Sequence, residues 1–207
     1  MRIKKRSSVI NFLISRAGYD RYLEIGVRDP SVNFDRIKCS YKDGVDIAGR
    51  CNYIMSSDAF FDTIPPDQIY DIIFIDGLHT CEQVLRDVSN SLEHLSSDGT
   101  ILLHDCNPLS KKLQVELKNR GKKWNGTVWK AFVILRMTRP DLMMYVVNTD
   151  NGIGVIRRGS QLLVKKVDKD KLTYDFLKRD RKKLLNLCPV KKFIRMENKI
   201  GRRRSEW

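Results

Sequence analysis

The sequence predicts an α/β fold: a Rossmann-like three-layer sandwich with a mostly parallel, seven-stranded sheet that ends in an antiparallel hairpin. Three observations carry that expectation. Short apolar segments alternate with segments of helical period along most of the chain, the order expected of a sheet covered on both faces by helices. Tyr70-Asp-Ile-Ile-Phe-Ile-Asp76 is a near-continuous β-branched run of the kind buried on both sides of a parallel sheet. Finally, Thr149-Asp-Asn-Gly152 joins two apolar segments with the residues of a hairpin turn.

Taken in order, residues 4–17 carry Val9, Ile10, Phe12, Leu13 and Ala17 at near-helical spacing. Tyr22–Ile25 is a short strand ending at Gly26. Residues 29–38 read as a helix with Asp29 as N-cap and Pro30 in its first turn. Lys42–Asp46 and Tyr53–Met55 are two further strands. Ser57 or Asp58 is expected to cap a brief helix that stops before Pro65-Pro66. After the strand at 70–76, Val84, Val88, Leu92 and Leu95 step by three and four along a helix over 80–95, which places His94 on its exposed side. Thr100–His104 is the next strand. Helices are expected at 110–119 and 128–137, then the hairpin strands Met143–Asn148 and Ile153–Arg157.

A hydrophobic fraction of 42% over 207 residues suffices for one sizeable core, and 31% charged residues is high without being that of a disordered chain. Residues 157–207 hold 18 of the 39 Lys and Arg but only 6 of the 25 Asp and Glu. The excess positive charge therefore belongs to a C-terminal extension, and the division drawn is a Rossmann-like domain at 1–160 and a basic, largely helical extension at 161–207. In the extension Leu172, Phe176, Leu177 and Leu184 stripe a helix over 169–187, and 198–207 are expected to be mobile. That stripe would pack on the domain, on a second copy as a homodimer, or on a membrane surface. The basic face would meet an anionic partner or simply be solvated. No apolar run approaches the roughly 18 residues that span a bilayer. The N-terminus lacks the continuous apolar region of a secretory signal. The five cysteines are odd in number and form no C-x-x-C pair, so they read as free thiols. A cytoplasmic location follows, with peripheral contact at the inner membrane face through the basic extension.

In an open parallel sheet, ligands bind beyond the carboxyl ends of the strands. The residues at those ends are Glu24 and Gly26, Asp46, Ser57 and Asp58, Asp76 and His79, and His104, Asp105 and Asn107. Glu24 interrupts an apolar strand, where a bare carboxylate costs several kcal/mol, on the order of 5, unless it is paired. Asp46 follows the Gly26 turn by about 20 residues, the spacing at which an acid accepts the hydroxyls of a ribose.

Tyr22-Leu-Glu-Ile-Gly-Val27, Gly44-Val-Asp46, Ser57-Asp58, Asp71-Ile-Ile-Phe-Ile-Asp-Gly-Leu-His79 and Gly99-Thr-Ile-Leu-Leu-His-Asp105 together resemble class I S-adenosylmethionine-dependent methyltransferases. The nearest subgroup is the small bacterial I-D-G-x-H proteins found among sugar and natural-product O-methyltransferases. The likeness covers roughly residues 20–157, with Ile75–His79 its most specific part. It implies S-adenosylmethionine as cofactor, with Glu24 and Gly26 bordering the methionine portion, Asp46 the ribose, Asp58 the adenine amino group, and Ser57 and Asp76 nearby. Where the family's loop reads G-x-G-x-G, this chain has Gly26-Val-Arg-Asp-Pro30, with the first glycine alone retained. The cofactor has no pyrophosphate to cradle, and Arg28 and Asp29 fall near it instead.

Methylating a hydroxyl requires its proton to be removed, by a histidine or through a divalent metal. Strands four and five should bring Asp76, His79, His104 and Asp105 together as the catalytic group. The resemblance also implies Mg²⁺ on Asp76, Asp105 and Asn107, although in the diol-methylating pattern the asparagine directly follows the aspartate and here Cys106 intervenes. Asp76 has a plainer role open to it as a helix cap, and His79 one as a turn residue held by Asp105. Cys81 and Cys106 lack metal-site spacing. In Lys123–Lys130, Trp124, Asn125 and Lys130 are candidates to hold the acceptor, while Trp129 reads as a core anchor. The expected function is methyl transfer to a hydroxyl of a sugar or other small polar acceptor. The alternatives are a nucleic-acid methyltransferase, prompted by the basic tail, and a binding protein that kept the fold and lost catalysis.

Overall fold

A computed structural model of the chain describes residues 3–114 and 124–204, the side chains of 201–204 excepted. Its strands are β1 (Arg21–Ile25), β2 (Tyr41–Asp46), β3 (Tyr53–Ile54), β4 (Tyr70–Ile75), β5 (Leu95–Leu103), β6 (Leu142–Val147), β7 (Ile153–Arg158) and β8 (Leu187–Cys188). They form one sheet in the order β3-β2-β1-β4-β5-β7-β6-β8. The first five run parallel, and β7 is antiparallel to both β5 and β6. The expected seven strands are thus eight. β8 adds to the edge through Val146↔Leu187 and Val147↔Cys188, and two residues are too few for any period to show in the sequence.

Alternation along the strands builds two cores. In β4, Ile73 and Ile75 face one and Ile72 and Phe74 the other. The first is covered by α2 (Ser57–Thr63), α3 (Cys81–Glu93), α4 (Val128–Thr138) and α5 (Tyr174–Leu184). The second is covered by α1 (Arg6–Ala17) and α6 (Val190–Arg204), which also pack on each other. Trp129 and Phe132 of α4 are fully buried, each worth about 3 kcal/mol of apolar burial. α3 begins where the Thr80 hydroxyl accepts the Gln83 N–H, and α1 ends at Gly18 in the left-handed conformation. Among the described residues no helix is long and apolar enough to cross a membrane.

Several local expectations need correction. The helix foreseen over 29–38 is a series of turns with a 3-10 turn at Phe34–Arg36, because the Asp29 carboxylate accepts from the Ser31 N–H (3.0 Å) and closes a tight turn. α2 is capped by Ser56, whose Oγ accepts from Ala59 (3.1 Å), not by Ser57 or Asp58. Of the helix expected at 110–119, the structure shows a 3-10 turn at Lys111–Leu113, and 115–119 lie outside the described residues, as does Lys123. His94 is buried, not exposed. It ends α3, stacks on Phe61 at 5.7 Å and has Nδ1 2.9 Å from the Gln68 carbonyl.

The C-terminal elements continue the same sheet and cores. Leu172, Leu177 and Leu184 are buried in the first core, so the apolar stripe packs on the domain itself. The expected single helix over 169–187 is a 3-10 turn at Lys169–Lys171, α5 and then β8. Of residues 198–207, foreseen as mobile, 205–207 lie outside the described residues and 198–204 continue α6. Its Phe193 packs edge-on against Phe12 of α1 at 5.5 Å, and its buried Glu197 pairs with Arg157 of β7.

Candidate active site

The carboxyl ends of β1, β4 and β5 meet where the strand order reverses, and a cluster of charged side chains lies there. Asp76 follows β4, and His104 and Asp105 follow β5. His79 Nε2 is 3.1 Å from Asp76 Oδ1, and its Nδ1 is 3.4 Å from Asp105 Oδ2 without a hydrogen bond. His104 Nδ1 lies 3.0 Å from Asp76 and 3.3 Å from Asp105. Asp105 adopts a left-handed conformation (φ 57°), costing about 1 kcal/mol, and its carboxylate lies between the two imidazoles. Asn125 Nδ2 donates to the same carboxylate.

Two participants come from elsewhere. Arg6, in the first turn of α1, sets its guanidinium on Asp76 Oδ2. Its backbone N–H donates to Asp150 Oδ2 at 2.7 Å, and Asp150 Oδ1 is 3.8 Å from His104 Nε2. Asp76, His104, Asp150 and Arg6 therefore close a ring of alternating charge. Burial alone would raise the Asp76 pKa, but the charge and hydrogen bond of His104, with help from His79 and Arg6, hold it well below the usual carboxylate range. Burial likewise opposes charge on His104, and Asp76, Asp105 and Asp150 override it, so His104 stays protonated well above its ordinary range. Neither Arg6 nor Asp150 stood out in the sequence: one belongs to a basic N-terminal run and the other to a hairpin turn.

The remaining residues surround this cluster. Gly26 (φ 92°) passes so close to β4 that a Cβ there would lie 2.3 Å from the Asp76 carbonyl, which explains why this position requires glycine. Buried Glu24 accepts from the Tyr22 hydroxyl (2.6 Å) and Asn33 (3.0 Å). Burial outweighs both bonds and pushes its pKa up to about 7. Asp46 ends β2 and accepts from the backbone N–H groups of Arg28 (2.8 Å) and Ala48 (3.1 Å). Asp58 faces Gln83 (2.9 Å), while Ser57 donates inward to buried Asp87 at 2.7 Å. The ring of Trp124 stacks on His79, with centroids 4.6 Å apart and planes at 12°. Lys130 is half-buried on α4, and its backbone N–H donates to the Thr127 carbonyl at 2.9 Å.

The oxygen set expected for Mg²⁺ is not assembled. Asn107 Oδ1 accepts from Arg181 of α5, and its Nδ2 donates to Asn148 Oδ1 (3.3 Å). Both Asp76 oxygens are engaged, one by Arg6 and one by the two imidazoles. The donors that do approach one another, on Asp76, His79 and Asp105, include an imidazole nitrogen, whereas Mg²⁺ takes oxygen ligands in near-ideal octahedra. The residues present do not fit that ion.

The strand order sets an antiparallel β7 between β5 and β6, with the charged cluster at the reversal point. Residues 33–106 match the model of a methyltransferase domain family. Solved structures agree on the fold. An SAH-bound methyltransferase of Podospora anserina aligns at TM-score 0.54 and 16% identity over 75% of this chain and 78% of its own. A Staphylococcus aureus protein provisionally designated a caffeoyl-CoA O-methyltransferase aligns at 0.53 and 17%, over 76% and 86%. A Klebsiella pneumoniae protein provisionally designated an O-methyltransferase aligns at 0.56 and 11%, over 75% and 80%. No curated protein sequence matches the chain significantly.

Proposed function

We propose that the chain binds S-adenosylmethionine and methylates a hydroxyl of a neutral, polar small acceptor such as a sugar, with His79 as the base. The observation that carries this reading is the state of His79. Its Nδ1 is buried and without a hydrogen bond, at the carboxyl end of the sheet, while Nε2 is held by ionised Asp76. An imidazole anchored through one nitrogen, with the other unengaged, suits removal of a hydroxyl proton. His104, held protonated by its carboxylates, serves as a fixed positive charge and not as a base.

Charge supports both ligands. Asp76, Asp105 and Asp150 face Arg6 and protonated His104, which sets three carboxylates against two cations. A cofactor with a net positive charge matches that deficit, and a neutral hydroxyl acceptor leaves the balance intact. Gly26 and Glu24 would border the methionine portion, Asp46 the ribose, and Asp58 the adenine edge. When bound, the cofactor supplies an electrophilic methyl group on a sulfonium. With the sulfide as leaving group of that methyl transfer, His79 Nδ1 would take the proton of the acceptor hydroxyl. Asp105, beside the same nitrogen, stabilises the imidazolium that forms.

Calorimetric titration with S-adenosylhomocysteine tests the reading. Micromolar binding that Asp46→Ala abolishes is expected, and no binding to the unaltered chain refutes it. The expected contact with an anionic surface is a separate proposal, supported by Lys191, Lys192, Arg195 and Lys199, all exposed on α6. Retention on anionic vesicles should fall steeply with salt, and salt-independent elution would count against it.

A further inference from the structure

The sequence made Trp124 a candidate platform for the acceptor, yet one face of its indole already lies against the His79 imidazole. The contact belongs to a larger attachment. Thr127 N–H donates to the His79 carbonyl at 2.8 Å, and the Thr127 hydroxyl accepts from Cys81 N–H at 2.8 Å. Gly126 (φ 62°) runs so close that a Cβ there would lie 2.2 Å from the His79 carbonyl oxygen and 2.5 Å from its Cβ. Asn125 completes the set by binding Asp105, the carboxylate beside His79 Nδ1. Four consecutive residues thus touch His79 or the groups that flank it.

We propose that Trp124–Thr127 is a clamp that fixes the plane and orientation of the His79 ring, with Trp124 as a positioning residue and not an acceptor platform. The inference rests on the methyl-transfer reading above. A histidine ring turns about a broad, nearly two-fold torsion, so one hydrogen bond from Nε2 to Asp76 does not by itself fix where Nδ1 points. A flat indole parallel to the imidazole blocks tilting, while the Thr127 bond and the Gly126 approach hold the backbone from which the ring projects. The charged groups facing this ring are Asp76 at the end of β4 and Asp105 at the end of β5, with His104 and Arg6 behind Asp76. The clamp itself adds no charge, so its contribution is geometric.

The test compares Trp124→Leu and Trp124→Phe in the full chain, with His79→Asn used to assign the ring signals. With S-adenosylhomocysteine bound, the His79 ring protons should be shifted upfield by the indole, lose that shift in the Leu variant and keep part of it in the Phe variant. In methyl transfer to a neutral polyol, Trp124→Leu should lower kcat roughly 10- to 100-fold with acceptor KM little changed, and Trp124→Phe should recover most of the loss. A rise in acceptor KM at constant kcat would make Trp124 a platform after all. His79 signals unmoved by Trp124→Leu would remove the clamp. Loss of S-adenosylhomocysteine binding by the unaltered chain would strike the methyltransferase reading instead, and the ring spectra would still judge the clamp.

Discussion

Glu197→Gln should cost this protein far more than a surface substitution on a basic helix would. Arg157 of β7 forks onto Glu197 of α6 through two bonds of 3.0 and 2.9 Å, with side chains only 10% and 3% exposed. The Tyr145 hydroxyl donates to the same carboxylate at 2.7 Å, and Arg157 Nε donates to Thr100 at 2.7 Å. Neutralising Glu197 leaves a guanidinium in the interior without a counter-charge, a change that costs about 3–5 kcal/mol in buried pairs. In a chain of this length each kcal/mol shifts Tm by about 2–4 °C, so a fall of roughly 6–20 °C is expected. Removing both partners, with Arg157→Met and Glu197→Leu together, should cost less than Glu197→Gln alone, because it leaves only the Tyr145 hydroxyl without its partner while Thr100 keeps Tyr19 at 2.8 Å. Urea unfolding followed by circular dichroism, supported by calorimetry, measures all three variants. A loss below about 1 kcal/mol for Glu197→Gln, or a double variant less stable than the single, would refute the view that this ion pair fastens α6 to the sheet.

Further outcomes follow from the site. Gly26→Ala should destabilise by at least about 2 kcal/mol and abolish S-adenosylhomocysteine binding, since its Cβ would overlap the Asp76 carbonyl at 2.3 Å; thermal unfolding and titration check both. Glu24 has its pKa raised from 4.5 to about 7 on folding, so the stability it contributes is present below the lower value and is lost as pH rises through the upper one. Glu24→Gln, which cannot ionise, should therefore gain on the unaltered chain by on the order of 2 kcal/mol between pH 5 and pH 8, read from paired urea titrations. Chelating divalent metals with EDTA should leave both S-adenosylhomocysteine affinity and methyl transfer unchanged, and a loss restored by Mg²⁺ would overturn the reading of the Asp76 and Asn107 contacts.

What the sequence reveals depends on how local the determining physics is. β4 was legible because six consecutive residues, five of them β-branched or aromatic and facing two cores, leave little else for the segment to be. The hairpin was legible because Asp150, Asn151 and Gly152 all take positive φ, and the sequence supplies residues that tolerate it. Asp76, His79, His104 and Asp105 could be placed together because residues following adjacent parallel strands must converge. Arg6 could not, since its contact with Asp76 spans 70 residues and depends on how α1 crosses the sheet. Ser57 shows the same limit at shorter range: its position after β3 was right, but its hydroxyl turns to Asp87, a partner on the face of α3. The extension reads from composition as a basic appendage, and of the three places open to its apolar stripe the structure shows burial of Leu172, Leu177 and Leu184 on the domain, with Phe193 buried in the other core.

That burial bears on the site. α6 packs on α1, with Phe193 against Phe12, and α1 presents Arg6 to Asp76. On the other face, α5 sends Arg181 to the Asn107 side chain and the Pro108 carbonyl, bracing the loop that carries Asp105. The hairpin turn contributes Asp150, which binds the first N–H of α1 and faces His104. Cation and anion around Asp76 are therefore held by elements from both termini and from the last hairpin, outside the β1–β5 half that carries the recognisable motifs. Truncating either end removes part of this support even though every residue of the I-D-G-x-H segment remains. The charge around Asp76 is thus set in part by the stretches of sequence with the least distinctive pattern, because their role is to place Arg6 and Asp150.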